Sequence, residues 1–253
     1  MKKVTLSLYF TVFAFLIFAQ LDINAINKRM VKIEDNLFID KYETSNADYN
    51  LFLDYLKAKN ETQYLEASVK GNYWTEMLNY GESFNAYYNT HKAYNKYPVV
   101  NINFESALAY CQWLTDQYNS SDERKYNKVI FKLPSEKEWT LAANGGNEKL
   151  EYPWGNNKIC NNKGYYFCNF VIKKDADIQK VTAPVHSYKK TVTGLYNISG
   201  NVAEMTNENG TAIGGSWNDD SSKMKINTHD NLSQYTHPMP TVGFRVAMEV
   251  VQE

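Results

Sequence analysis

GLYNISGNVAEMTNENGTAIGGSW, Gly194 to Trp217, is the stretch on which the reading of this chain turns. Gly194, Gly200, Gly210, Gly214 and Gly215 interrupt it at intervals suited to turns with positive φ or to close backbone approach, so it cannot be one helix. Leu195 and Tyr196 can enter a core, whereas Asn197, Asn201 and Glu204 place oxygen-bearing side chains close together, with the peptide carbonyls of Gly200 and Val202 between them. Hard cations want that chemistry: calcium takes about six to eight oxygens from carboxylates, amides and backbone. The same letters also describe an Asn- and Gly-rich surface loop held by hydrogen bonds alone. Both readings stay open at this point.

Two long helices upstream are defined by local chemistry. Ser135 and Glu138 are spaced as a capping box, in which each side chain satisfies a backbone N–H at the other end of the first turn. Trp139, Ala142 and Ala143 then face inward, and Gly145 can close the helix in the left-handed conformation. Further back, Phe104, Ala107, Leu108, Cys111, Leu114 and Tyr118 recur at helical spacing and read as a core stripe. Lys125 to Leu133 is predicted as a strand, and Val99-Val100 as a short one. MVKIEDNLFIDKYE (Met30 to Glu43) mixes apolar and polar residues as strands do and ends where Thr44 or Ser45 can cap a helix carrying Tyr49, Phe52, Leu53 and Leu56 on one face. Residues 57 to 97 show no sustained period and are predicted irregular, with one or two short helices. Beyond Gly146 the pattern is short strands and loops with no Pro- or Ser-rich linker, which predicts a single domain over 20–253.

With 253 residues, 43% hydrophobic and 15% aromatic, the chain has ample material for a packed core. Lys+Arg 27 against Asp+Glu 28 gives a net charge of −1, so electrostatics favours neither nucleic acid nor an anionic membrane surface as partner. Lys2 and Lys3 followed by the apolar run Val4 to Phe18 read as an export signal over residues 1–19, with a cut as late as 25 an alternative. No cysteine precedes Cys111, so no N-terminal lipid attachment is expected, and the mature protein is expected to be secreted or periplasmic without a membrane anchor. Export permits disulfides. Cys160 and Cys168 flank NNKGYYF and form a candidate pair, while Cys111 reads as a buried free thiol. A phosphate-cradling glycine loop, a Gly-x-Ser-x-Gly turn and a CxxC motif are all absent from the sequence.

GLYNISGNVAE with GGSW, together with YETSNADYNLFL (Tyr42 to Leu53), PVVNINFESALAYCQWL (Pro98 to Leu114), KLPSEKEWTLAANGG (Lys132 to Gly146), YPWGN (Tyr152 to Asn156), TAPVHSY (Thr182 to Tyr188) and GFRVA (Gly243 to Ala247), resembles the formylglycine-generating-enzyme, or sulfatase-modifying-factor, family in order and spacing. The resemblance implies an α+β fold similar to C-type lectins, with a twisted antiparallel sheet, two main helices and little other regular structure. It also implies two calcium positions. One uses the side chains of Asn169 and Asp177 with the carbonyls of Phe170 and Gln179, and the other uses Asn197 and Glu204 with the carbonyls of Gly200 and Val202.

Catalysis is not implied in the same way. The oxidases of this family resemble one another in a cysteine pair after the GGSW-type turn that binds copper, and soft thiolates are what select Cu(I). In this sequence Asp219 and Met224 stand at those positions, so copper is not expected. The iron-dependent relatives need a His-x3-His-x-Glu set, a spacing that His91, His186, His229 and His237 do not show. The expectation is therefore a calcium-stabilised, non-catalytic binding or scaffold module, similar to the domain in bacterial gliding-motility and secretion proteins, with a protein or glycan partner in the cell envelope. The alternative is an oxidoreductase with a site rebuilt around Asp219, His229 and His237. Asn218 to Pro240 is the segment expected to recognise a partner, with Asp219, His229, Tyr235 and His237 exposed at its groove and Tyr235 as the anchor. Arg245, at the returning end, is expected to pair with a buried carboxylate or carbonyl.

Overall fold

The computed structural model describes residues 21–172, 181–227 and 232–252. The expected export signal and, among the expected site residues, Asp177, Gln179 and His229 lie outside the described residues.

Asp22 caps a short helix, α1 (Ile23–Arg29), whose end runs into β1 (Met30–Lys32), and a tight turn leads to β2 (Leu37–Asp40). Ser45 caps α2 (Asn46–Lys59): its hydroxyl accepts from the Asp48 N–H at 3.2 Å while the Asp48 carboxylate accepts from the Ser45 N–H at 3.2 Å. Three short helices follow, α3 (Glu61–Ala67), α4 (Tyr73–Met77) and α5 (Glu82–Tyr87), with a 3-10 turn at Lys92–Tyr94. Then come α6 (Phe104–Ser120), β3 (Lys128–Lys132) and α7 (Glu136–Asn144), the last with the Ser135–Glu138 capping box and a left-handed Gly145 at φ 60°. The remaining strands are short: β4 (Ala203–Met205), β5 (Thr211–Ile213), β6 (Leu232–Ser233), β7 (Val242–Gly243) and β8 (Ala247–Gln252).

The strands form two four-stranded sheets, ordered β1-β2-β8-β3 and β6-β5-β4-β7. The first is antiparallel throughout, so the C-terminal strand β8 sits between β2 and β3 and closes the chain on itself. The second is antiparallel except where β4 runs parallel to β7. A free edge on β3 would leave backbone groups unpaired. Here α6 covers it: Asn119 accepts from Val129 N–H and donates to Val129 C=O, both at 2.9 Å, and the Thr115 hydroxyl accepts from Phe131 N–H at 2.8 Å.

The main core joins α2, α6 and the first sheet through an aromatic cluster. Tyr110 stacks on Tyr49 with centroids 5.9 Å apart and meets Phe52 edge-on at 5.8 Å and Phe244 at 5.4 Å. Offset and edge-to-face pairs of this kind add to the burial of the rings themselves. Among the described residues no helix is long and apolar enough to cross a membrane.

Three local expectations need correction. Residues 57–97 hold three α-helices and a 3-10 turn, more than the one or two expected, because their aromatics pack as a cluster of their own around Trp74 and Tyr88 instead of as one periodic face. Val99-Val100 is not a strand. Both residues are buried, but the only pairing nearby is a single bridge from Pro98 to Ser45. Leu108 turns outward at 42% exposure, since Ala107, Tyr110, Cys111 and Leu114 already fill the inner face of α6.

Candidate functional site

Four segments meet around two buried carboxylates, Glu43 and Glu204. Glu204 lies on β4 and is fully buried, as is Arg245 just before β8. The Arg245 guanidinium grips it as a fork, with Nη2 donating to Oε1 at 2.6 Å and Nε to Oε2 at 2.7 Å. The Trp139 indole N–H, on the inner face of α7, adds a third donor to Oε2 at 2.8 Å. The guanidinium's other N–H groups reach the carbonyls of Asp40 at 2.9 Å and Tyr196 at 2.8 Å. A buried charge is tolerable only when paired and hydrogen-bonded in this way. The expectation for Arg245 holds, with both a carboxylate and carbonyls as partners.

Glu43, between β2 and α2, is 1% exposed and forms no ion pair among the described residues. Its carboxylate accepts from the Asn197 amide at 3.0 Å and from the Asn201 amide at 3.0 and 2.9 Å. Burial, reinforced by the nearby Glu204, raises its pKa to about 8; Arg245 and the two amides pull the other way and lose. Asn201, fully buried, is the hub. Its oxygen accepts from Asn169 Nδ2 at 3.2 Å and from Ala183 N–H at 2.7 Å, and its carbonyl accepts from Trp217 N–H at 2.9 Å. Asn197 and Asn201 both sit at positive φ, 51° and 68°, a conformation asparagine tolerates better than most residues. Gly200 between them admits no side chain, because a Cβ would lie 2.3 Å from the Asn169 carbonyl oxygen.

Two of the side chains expected at the second calcium position have capacity left for a hard cation. Asn197 Oδ1 is buried and has no hydrogen-bond partner among the described residues. Glu204 already accepts three N–H groups, and a carboxylate has about four lone-pair sites, so room for a further ligand interaction remains. At the first position, Asn169 is buried and donates to Val181 C=O at 2.8 Å, while its Oδ1 has only a long contact, 3.4 Å, from the Tyr188 hydroxyl. Phe170 is buried beside it, whereas Asp177 and Gln179 lie outside the described residues. Among the described residues no three His, Cys, Asp or Glu side chains gather into a metal-binding group.

The stretch after Trp217 carries Asp219 and Met224, and the structure sends them to different places. Asp219 folds back on the turn, its Oδ2 accepting from Ser216 N–H at 2.8 Å and from the Ser216 hydroxyl at 2.6 Å. Met224 ends a 3-10 turn at Ser221–Met224 and is fully buried with Tyr152, Trp154, Cys168 and Phe170. Gly215 is glycine for this reason: a Cβ there would lie 2.5 Å from the Met224 methyl. Asp219 lines a cavity of about 330 Å³ together with Ser216 and Lys223, over an apolar wall that includes Met77, Leu232 and Met239. Trp217 closes the base of the loop: its indole N–H donates to Pro240 C=O at 3.0 Å, and its ring stacks on Trp74 at 6.0 Å.

The expected groove is not assembled as one site. Tyr235 and His237 line a separate cavity of about 430 Å³ with Glu105 and Gly210, away from Asp219, and His229 lies outside the described residues. Tyr235 is half-buried, not an exposed anchor; it packs against the main core, and burial, aided by Glu105, pushes its pKa to about 12. His237 is exposed and stacks on Tyr73 at 6.4 Å. The candidate disulfide is not formed either. Cys160 and Cys168 are both free thiols, because the hairpin register sets Cys160 opposite Tyr166 and turns Cys168 into the cluster under Met224. Cys111 is the buried free thiol expected of it.

Sequence reasoning missed Glu43, which reads as one more polar residue before a helix cap. The one available signal was an acidic side chain immediately after the buried strand β2, where a charge must find partners.

Residues 19–250 match the family model described as the Sulfatase-modifying factor enzyme 1-like domain. Among curated relatives, a formylglycine-generating enzyme of Thermomonospora curvata is 32% identical over 54% of this chain and 39% of its own length. An inactive C-alpha-formylglycine-generating enzyme 2 of Bos taurus is also 32% identical, over 44% of this chain and 33% of its own. The chain thus spans less than half the length of these relatives. Among solved structures, Treponema denticola variable protein 1 superposes with a TM-score of 0.56 at 18% identity, covering 87% of this chain and 91% of that one, a likeness of fold alone.

Proposed function

Because this chain belongs to the sulfatase-modifying factor enzyme 1-like family, we propose that it is a calcium-stabilised, non-catalytic binding module exported to the cell envelope, where it engages a protein or glycan. Family membership leaves both chemistry and its loss open, since function resides in sites and not in folds. The observation that supports loss is the fate of the two oxidase positions. Asp219 is engaged with Ser216 in its own turn, and Met224 is sealed among aromatic rings behind Gly215. Two thiolates facing a common opening are what copper chemistry of this kind needs, and this chain offers a hydrogen-bonded carboxylate and a buried thioether.

Calcium would be held by Asn197, Glu204 and the carbonyls of Gly200 and Val202 at one position. Asn169, Asp177 and the carbonyls of Phe170 and Gln179 would hold it at the other. Bound there, the ion supplies positive charge beside Glu43 and Glu204 and ties the loops that carry the site to the sheet. The chain's own part is done by Asn201 and Trp217, whose hydrogen bonds to Ala183, to each other and to Pro240 anchor the start and end of the loop after Trp217. Rigid scaffolds presenting variable loops are the common architecture of recognition.

Metal analysis of the purified protein separates this reading from an oxidoreductase with a rebuilt site. Calcium without stoichiometric copper or iron is expected. Stoichiometric copper or iron would instead favour the enzyme.

A further inference from the structure

Helices α2, α3 and α6 enclose a groove of about 560 Å³ that shares no residue with the cavity beside Asp219. Its wall is aromatic: Trp113 lies 5.6 Å from Phe52 and 6.3 Å from Tyr55, centroid to centroid. Its rim is acidic, with Glu66 from α3 and Glu105 and Asp116 from α6, and its lining includes no lysine or arginine. Among the described residues none of these three carboxylates is in an ion pair; Asp116 accepts only a neutral amide hydrogen bond, from Gln112 at 2.9 Å. Trp113 itself is 6% exposed, and its indole N–H has no hydrogen-bond partner among the described residues. Buried indole N–H groups nearly always find an acceptor.

These features specify one ligand chemistry. A planar cation stacked on an indole face is attracted by the ring, and a guanidinium also forms paired hydrogen bonds to a carboxylate, which an ammonium cannot match. A backbone carbonyl beside that side chain would satisfy the Trp113 N–H. The volume falls within the range of about 300–1,000 Å³ typical of ligand clefts. We propose that this groove binds an arginine side chain of a partner polypeptide, with the guanidinium over the Trp113 and Tyr55 rings among Glu66, Glu105 and Asp116, and an adjacent peptide carbonyl on Trp113 Nε1. The groove is separate from the cavity beside Asp219; it shares Glu105 with the cavity of Tyr235 and His237, whereas Glu66 and Asp116 belong to the groove alone.

Titration of the full chain with acetyl-Gly-Arg-Gly-amide, followed by calorimetry, tests it directly. Saturable binding below about 1 mM is expected, weakened at least tenfold when the peptide arginine is replaced by glutamine. The triple variant Glu66→Gln, Glu105→Gln, Asp116→Asn changes only exposed side chains and should melt as the parent does while binding at least tenfold more weakly. Trp113→Phe keeps a ring but loses the N–H and should weaken binding about threefold or more. The proposal is overturned if the arginine peptide does not bind, if the glutamine peptide binds equally well, or if the folded triple variant keeps full affinity. It is equally overturned if a neutral oligosaccharide competes for the groove with an affinity that the triple variant leaves unchanged.

Discussion

Glu204 and Arg245, 41 positions apart, form a wholly buried two-point ion pair that Trp139 completes with a third hydrogen bond. One contact thereby locks α7, the second sheet and the strand entering the first sheet into a fixed relation.

Removing one partner should be costly. Arg245→Met leaves Glu204 buried without its cation and should lower stability by about 3–5 kcal/mol, as measured for broken buried pairs. Adding Glu204→Leu to that variant should recover part of the loss. Urea denaturation provides the comparison. A loss below about 1 kcal/mol for Arg245→Met would show that the pair is not the joint described here.

Much of this architecture was legible in the sequence, for identifiable reasons. Ser135, Glu138, Trp139 and Gly145 define α7 by chemistry that acts within a few residues, and the structure agrees with each. Gly200 and Gly215 could be flagged as turn residues, but not the atoms they admit, the Asn169 carbonyl and the Met224 methyl, since those come from distant segments. Glu43 was invisible because its meaning depends on Asn197 and Asn201, which reach it only after the fold has formed. The groove at Asp219 failed for the converse reason. Residues near one another in sequence, Asp219 and Tyr235, are sent to different cavities by a loop pinned between Trp217 and Pro240.

Glu43 should make stability depend on pH in metal-free buffer. Its pKa is about 8 in the folded protein against an ordinary value of 4.5, so between these values the folded state holds a proton that the unfolded state releases. Stability must then fall as pH rises from 4.5 through 8. Thermal melts in EDTA across that range should show the decline, and Glu43→Gln, which cannot ionise, should flatten it. An unchanged slope in the variant would remove Glu43 as the cause.

Chelation should lower the melting temperature. A cation bound only by the folded state stabilises it by about 3 kcal/mol at a hundredfold excess over its Kd. Asn197→Ala removes the unpartnered Oδ1 while leaving the Glu204–Arg245 pair intact, and should blunt the difference between calcium and EDTA. Identical melting temperatures in the two buffers for the parent protein would show that neither calcium position is occupied.

The charged start and apolar run of residues 1–19 should be removed on export. Mass spectrometry of the protein recovered outside the cytoplasm should find a chain beginning near Gln20 and not beyond about residue 25. Intact Met1 on the exported protein would contradict this.

The central claim is that a chain of this family has exchanged copper chemistry for binding, and formation of an aldehyde tests it most directly. The purified protein would be incubated with oxygen and a sulfatase-type peptide containing the target cysteine, with and without Cu(I), and the peptide examined for formylglycine by mass spectrometry. With Asp219 held by Ser216 and Met224 buried beneath Gly215, no aldehyde above the protein-free control is expected under either condition. Aldehyde product above that control, dependent on the protein, would contradict the account.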